Sequence, residues 1–410
     1  MQVKRNTYIR IVSLLAVLVC SLMLPAIGLA DVEDDFNDMK VASIAASTSL
    51  DNLKAKSAIL MEPGTGSVLF EKNSHERFPI ASVTKIMSML IFLENIDSGK
   101  IKWEDEVLVS SHAQSMIGSG VFLERGEKFT VRELFKTVAV ASANDATVAL
   151  AEHVAGSEPA FVELMNRRAE SLGMNDTRFM DATGLNDSEY STAADVAVMA
   201  RELILKHPVI FEFTTIWHDT FRNGTHDVDN TNKLIRYFTD KSRGIVCDGL
   251  KTGHTDAAGY CLAATAVRED MRVLAVVLNA PDINTRFGEA QKLMDYGLTS
   301  FETGIFNEKD KKAETAAVRK GVELEVDAVY AADMKIVYKK GMGNKVTRET
   351  VLEQDLTAPV SAGQKIGEVV FMLEGKEVAR GDLLAATDVK KASFIRLFFR
   401  MILEWLGIRR

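Results

Sequence analysis

The sequence predicts an α+β protein followed by a separate small all-β module and a terminal amphipathic helix. Three observations predict it. A β-hairpin pattern at 57–71 and three strand-like runs at 246–278 bracket a long helical middle. Residues 322–329 then alternate strictly between apolar and polar, as a half-buried strand does. Finally, 393–410 repeats Arg396, Arg400 and Glu404 every four residues among Phe394, Ile395, Leu397, Phe398, Met401, Ile402, Trp405 and Leu406.

A length of 410 residues suits two or three domains, and 47% apolar with 26% charged residues is ordinary for a globular chain with a sizeable core. The net charge of −8, with no Lys/Arg block, argues against a nucleic-acid-binding surface. Residues 1–30 read as a signal peptide. Lys4, Arg5 and Arg10 precede an apolar stretch at 11–24, and Gly28-Leu29-Ala30 offers small residues for cleavage before Asp31. The apolar stretch is short for a span, which favours export over anchoring. Cys20 follows Val19, where a lipidated cysteine wants a small residue. Residues 31–53 are small, polar and acidic and read as a flexible leader. Cys247 and Cys261 remain in the mature chain. An even pair in an exported protein invites a disulfide, but a hairpin turning at 254–258 sets neither opposite the other.

Within the body, 57–62 and 67–71 read as strands around a Pro63-Gly64-Thr65-Gly66 turn. A helix follows from Ser82, with apolar residues continuing through Leu93. The stretch 103–130 is loop-rich with short strands. Thr130-Val131-Arg132-Glu133 reads as a capping box opening a helix that ends at Ala141-Ser142-Ala143-Asn144-Asp145, and a second helix spans 146–155. Helices are predicted over 158–172 and 195–205, the latter capped by Ser191-Thr192, with a loop containing Gly184 between them. Asn223-Gly224 marks a turn within 214–235. Strands at 246–253, 260–267 and 272–278 precede a helix at 287–301. The charged, alanine-rich stretch around 309–317 reads as a linker, and short strands near 336–338, 346–347, 369–371 and 378–379 fill the β module.

Three polar stretches stand out against this frame. Ser82 and Lys85, one turn apart at a helix start, can bring hydroxyl and amine together. Burial of such a lysine lowers its pKa, which a general base for a serine nucleophile needs. Ser142-Ala143-Asn144 joins two apolar helices, either as an ordinary cap or as an inward-facing polar group. Lys251-Thr252-Gly253 lies on the clearest strand. In this order, with the flanks Phe78-Pro79-Ile80-Ala81, Asp145-Ala146, Asp248-Gly249-Leu250 and His254-Thr255, the sequence resembles the penicillin-binding proteins, and among them the low-molecular-mass D-alanyl-D-alanine carboxypeptidases.

That resemblance implies a β-lactamase/transpeptidase-like catalytic domain at 54–305, with a five-stranded antiparallel sheet covered by helices. A linker at 306–319, an all-β domain at 320–390 and an anchoring helix at 391–410 follow. It implies that Ser82 attacks the carbonyl between two terminal D-alanines of a peptidoglycan stem peptide, with Lys85 as base and Ser142 as proton relay. Asn144 is expected to orient Lys85 and hold the substrate amide. Lys251 is expected to help depress the Lys85 pKa and, with Thr252, to receive the terminal carboxylate. Gly253 would permit close approach of the peptide, and the N–H groups of Ser82 and His254 would hold the oxyanion. β-Lactams should acylate the same serine. No cofactor or metal is expected, since the seven histidines show no ligand spacing. The tail is expected to lie on the outer face of the cytoplasmic membrane, or else to dock on the protein itself. A class A-type β-lactamase would need a glutamate in the loop after Ser142, and 178–186 offers only Asp181. A DD-endopeptidase uses the same residues, and a non-turnover penicillin-binding sensor remains the non-enzymatic reading.

Overall fold

The structure is a computed structural model and describes residues 50–407. The expected signal peptide and all but the last residues of the expected leader lie outside them. The end of that leader is anchored: 50–52 form a short 3-10 turn with Leu50 and Leu53 buried. The N–H groups of Lys54 and Ala55 donate to the Glu289 carboxylate at 2.5 and 3.0 Å.

The chain then forms β1 (Ser57–Glu62) and β2 (Ser67–Lys72). β1 is buried at every position and β2 only in part, so β1 is internal and β2 an edge. A 3-10 turn over Ala81–Thr84 leads into α1 (Lys85–Asp97), whose first nine residues are buried whatever their polarity. The short strands β3 (Glu106–Leu108) and β4 (Lys128–Thr130) pair before α2 (Val131–Ala141). The expected capping box is present: the Thr130 hydroxyl accepts from Glu133 N–H, and the Glu133 carboxylate accepts from Thr130 N–H at 2.8 Å. Next come α3 (Asn144–Ala155), α4 (Glu158–Ser171) and α5 (Ala193–Lys206), the last capped by Thr192. These helices enclose α1. Phe92 meets Phe135 edge-on at 6.5 Å and Phe161 at 5.1 Å, joining α1 to α2 and α4 in one apolar core.

The hairpin β5 (His218–Phe221) and β6 (His226–Asp229) turns through Arg222 and Asn223, both at positive φ, as its Asn-Gly signal required. β7 (Ile245–Thr255), β8 (Gly259–Arg268) and β9 (Met271–Ala280) complete a five-stranded antiparallel sheet in the order β2-β1-β9-β8-β7. α6 (Ile283–Ser300) packs on β8 and β9. There Gly297 lets the helix close on the sheet, since a Cβ would stand 2.7 Å from Val273. Cys247 pairs with Ala266 and Cys261 with Gly253 in the β7/β8 register, and both thiols are free and buried.

The stretch expected as a linker, 306–319, is structured. β10 (Phe301–Asn307) pairs with β13 (Met334–Lys339), and β11 (Lys312–Ala317) is an edge of the second sheet. That sheet runs β11-β12-β16-β15-β14, with β12 (Glu325–Tyr330), β14 (Val346–Leu352), β15 (Lys365–Leu373) and β16 (Lys376–Ala385), over its own apolar core. α7 (Phe394–Trp405) ends the described chain.

Candidate active site

Ser82 lies in the 3-10 turn immediately before α1, and Lys85 is the first α-helical residue. Ala81, just ahead of the serine, takes a left-handed φ of 48°. That conformation costs energy for a residue with a Cβ and persists only where the surroundings impose it. Two glycines on other segments supply that imposition. At Gly184 (φ 85°) a Cβ would stand 1.9 Å from the Ala81 carbonyl oxygen, and at Gly253 one would stand 2.6 Å from that of Ile80. The loop after α4 and the strand β7 therefore grip the serine turn from two sides.

Lys85 is fully buried, and its Nζ meets three oxygens: Ser82 Oγ at 2.9 Å, Asn144 Oδ1 at 2.6 Å and the Thr183 carbonyl at 2.8 Å. Two of these, an amide oxygen and a carbonyl, only accept. A neutral amine has two hydrogens for them and one lone pair left, which faces the Ser82 hydroxyl. Burial pushes the Lys85 amine down to about 7, against the pull of Asp181, Glu189 and Asp145. Lys251, equally buried, is lowered by burial first and then by repulsion from Lys85 and Arg286. Burial is the larger cause at both amines; repulsion from Lys85 adds to it at Lys251, whereas at Lys85 burial alone lowers the amine, so the expected help from Lys251 does not appear there.

Ser142 is the left-handed joint (φ 62°) between α2 and α3. Its Oγ is buried without a hydrogen-bond partner among the described residues, a state that a reactive group tolerates better than a structural one does. Asn144 opens α3. Its N–H donates to Ser119 O at 2.7 Å, and its Nδ2 donates to Ile117 O at 2.6 Å. One Nδ2 hydrogen remains for another acceptor. Thr252 Oγ1 donates to Thr231 Oγ1 at 2.8 Å, and Lys251 Nζ donates to the Thr252 carbonyl at 2.8 Å. His254 is exposed at the end of the strand, its ring stacked on Tyr260 at 4.1 Å.

Three further contributors stand outside the site residues expected from the sequence. Arg286 on α6 is buried over the Tyr260 and Phe287 rings, with Nη1 3.4 Å from Gly253 O and Nε without a hydrogen-bond partner among the described residues. Burial lowers it to about 10, and it lies with Lys251 and Lys233, both also lowered by burial, at this end of β7. Asp181 builds the gripping loop: its carboxylate accepts from the N–H groups of Thr183, Gly184 and Asn186, each at 2.6 Å. Glu189, beyond that loop, is buried behind the turn and accepts from the Thr84 hydroxyl.

The chain also matches known proteins over most of its length. Residues 44–282 match the family described as D-alanyl-D-alanine carboxypeptidase, peptidase S11, and residues 301–391 match the C-terminal domain of penicillin-binding protein 5. The chain is 41% identical over 357 residues to the D-alanyl-D-alanine carboxypeptidase DacF of Bacillus subtilis, covering 86% of this chain and 90% of that one. Among solved structures, penicillin-binding protein 5 from Haemophilus influenzae superposes with a TM-score of 0.77 at 33% identity, covering 85% of this chain and all of that one. The ampicillin-bound penicillin-binding protein D2 of Listeria monocytogenes gives a TM-score of 0.54 at 32% identity, over 60% of this chain and 98% of that one.

Proposed function

The chain belongs to the D-alanyl-D-alanine carboxypeptidase family, peptidase S11, and is a serine-type D-Ala-D-Ala carboxypeptidase; from that premise we propose how its residues perform the reaction. The observation that carries the reading is the threefold environment of Lys85 Nζ, which reserves one lone pair for Ser82. Lys85 takes the Ser82 proton as Oγ attacks the carbonyl between the terminal D-alanines of a peptidoglycan stem. The oxyanion forms against the N–H groups of Ser82 and His254. As the C–N bond breaks, the proton passes from Lys85 through Ser142 to the leaving D-alanine amine. The buried, unpartnered Ser142 hydroxyl supports that relay. Water then adds to the acyl-enzyme, giving its proton to Lys85, and Ser82 departs with a proton restored.

The substrate's terminal carboxylate lies against Lys251, Thr252 and Arg286, and its charge restores the cationic form of Lys251 that burial disfavours. A β-lactam presents a strained amide beside a carboxylate to the same groups. The ampicillin complex of the Listeria relative supports covalent capture by Ser82.

Location follows from the two ends of the chain. Residues 1–30 direct export, and α7 holds the catalytic domain at the outer face of the cytoplasmic membrane. Phe394, Ile395, Phe399 and Trp405 are exposed on α7, Trp405 at 85%. Arg400 donates to the Gly321 and Val322 carbonyls at 2.9 and 3.0 Å, tying the helix to the β module. Among the described residues no helix is long and apolar enough to cross a membrane.

The test is D-alanine release from diacetyl-L-Lys-D-Ala-D-Ala, compared with cleavage of a D-Ala-linked peptide dimer. Release from the tripeptide that disappears in Ser82→Ala supports the mechanism. Cleavage confined to the dimer would replace it with endopeptidase action.

A further inference from the structure

One face of β7 is turned to the serine turn. Side chains alternate along a strand, and the β7/β8 register is unbroken from Gly249 to Thr255, so Lys251, Gly253 and Thr255 share a face. Lys251 is fully buried, and a Cβ at Gly253 would stand 3.1 Å from Ser82 N. Thr255, next on that face, donates its hydroxyl to Asp187 Oδ1 at 2.7 Å. Asp187 follows the gripping loop, in a segment held by its own bonds. Asn186 N–H donates to the Asp181 carboxylate at 2.6 Å, and Glu189 N–H donates to Asn186 O at 3.0 Å. The Asp187 side chain is exposed, and Thr255 is its sole hydrogen-bond partner among the described residues.

Leu185 carries the same segment back to the reacting centre. The point where a Gly118 Cβ would stand is 3.0 Å from Asn144 Nδ2 and 3.7 Å from Leu185 Cδ2, so leucine and amide are neighbours. In the reaction proposed above, the direction of the peptide is set by its two ends. The terminal carboxylate lies by Lys251 and Thr252 and the scissile carbonyl by His254 N–H, so the chain toward its N-terminus passes the Thr255 end of β7. The amide held by Asn144 joins the first of the two D-alanines to the residue before it. That residue's side chain faces half-buried Leu185, with the exposed Asp187 carboxylate beyond. An apolar stem ending in a positive head fits this order of contacts.

We propose that Leu185 and Asp187 form a specificity subsite for the residue preceding D-Ala-D-Ala, selecting a lysine-type side chain with a free terminal amine. Its methylenes cover Leu185, and its ammonium pairs with the carboxylate that Thr255 orients. The inference rests on the carboxypeptidase reading and names the stem peptide that this enzyme prefers. Because the pair is exposed, its discrimination is modest and weakens in salt.

The experiment measures kcat/KM for D-alanine release by the full chain from Nα-acetyl-L-Lys-D-Ala-D-Ala, whose side-chain amine is free. The same peptide with that amine acetylated (neutral) or succinylated (anionic) is run beside it. Each enzyme is judged by the ratio between peptides, in which a general loss of folding or activity cancels. The wild type is expected to prefer the free amine over the acetylated one about three- to fivefold at low ionic strength, and the preference should shrink in about 0.5 M NaCl. Asp187→Asn keeps the size of the side chain and an acceptor for Thr255, and should bring the ratio to parity. Asp187→Lys should reverse the order and favour the succinylated peptide, which loss of a merely structural aspartate would not do. Parity in the wild type overturns the proposal, and so does a preference that survives in Asp187→Asn. Release from none of the three peptides would remove the carboxypeptidase reading, and this inference with it.

Discussion

Ser82 and Lys85 are worth little to each other without the oxygens that surround the amine. Asn144 Oδ1 and Thr183 O occupy the two hydrogens of the neutral form, and burial makes that form accessible near pH 7. Replacing Ser82 with Ala, or Lys85 with Met, is expected to lower the acylation rate by at least about a thousandfold, read by stopped-flow with a fluorescent penicillin. The proposed base must be unprotonated, so the wild-type rate should climb through about pH 7. The same residue has a stability signature. Lys85 is lowered in the folded state, so between about 7 and its ordinary value of 10.5 the unfolded chain holds a proton that the folded chain lacks. Its contribution to stability therefore improves as pH rises through that window, by at most about 1.4 kcal/mol per unit. Urea titrations of the wild type and Lys85→Met should show the wild type gaining on the variant from pH 7 to 10; a difference constant with pH would contradict the burial assigned to Lys85. The motif residues were legible because each sits in a short pattern with recognisable flanks. Glu189 and Arg286 were not, because each is a single residue brought in by another segment, and only burial marks it out.

The elements do their work by close approach. Gly184→Ala would drive a methyl into the Ala81 carbonyl at a φ of 85°, and Gly253→Ala would press one against Ile80 O. Either should distort the turn before α1. The expectation is a loss of about 2–4 kcal/mol for Gly184→Ala in urea, with penicillin labelling lost in parallel. Normal labelling in both variants would show that the grip is dispensable. Thr130→Ala removes the cap of α2 and should cost about 1 kcal/mol without affecting the acid limb of acylation. Helices with caps and long apolar faces were placed by the sequence to within a few residues. The serine turn was read as plain helix, since 3-10 and α windings share the same periodic signal over one turn. The segment 312–317 was read as linker because Lys312-Ala313-Glu314-Thr315-Ala316-Ala317 is charged and alanine-rich with Thr315 its single β-branched residue; pairing with β12 makes it a strand.

On the scale of the whole molecule, the catalytic body and the β module meet where Lys335 of β13 reaches the buried Glu62 at the tip of β1, at 3.9 Å, while Arg400 fixes α7 to the module. Removing 393–410 is expected to abolish sedimentation with anionic vesicles and to leave hydrolysis of a soluble tripeptide within about twofold, as the proposed anchor, remote from the chemistry, should. Undiminished vesicle binding would contradict the proposed anchoring by this helix. The two-module plan and the amphipathic tail were visible as changes of periodicity along the chain. The contacts between modules were not, because single polar residues such as Glu62 and Lys335 make them. The measurement that bears most directly on the account is mass-spectrometric mapping of the benzylpenicilloyl adduct on the intact protein across pH 5.5 to 8.5. A single adduct on Ser82, absent from Ser82→Ala and forming faster as pH rises through about 7, is the predicted result. An adduct on another residue, or a Ser82 adduct whose rate ignores pH over that range, would contradict a serine activated by a buried neutral lysine.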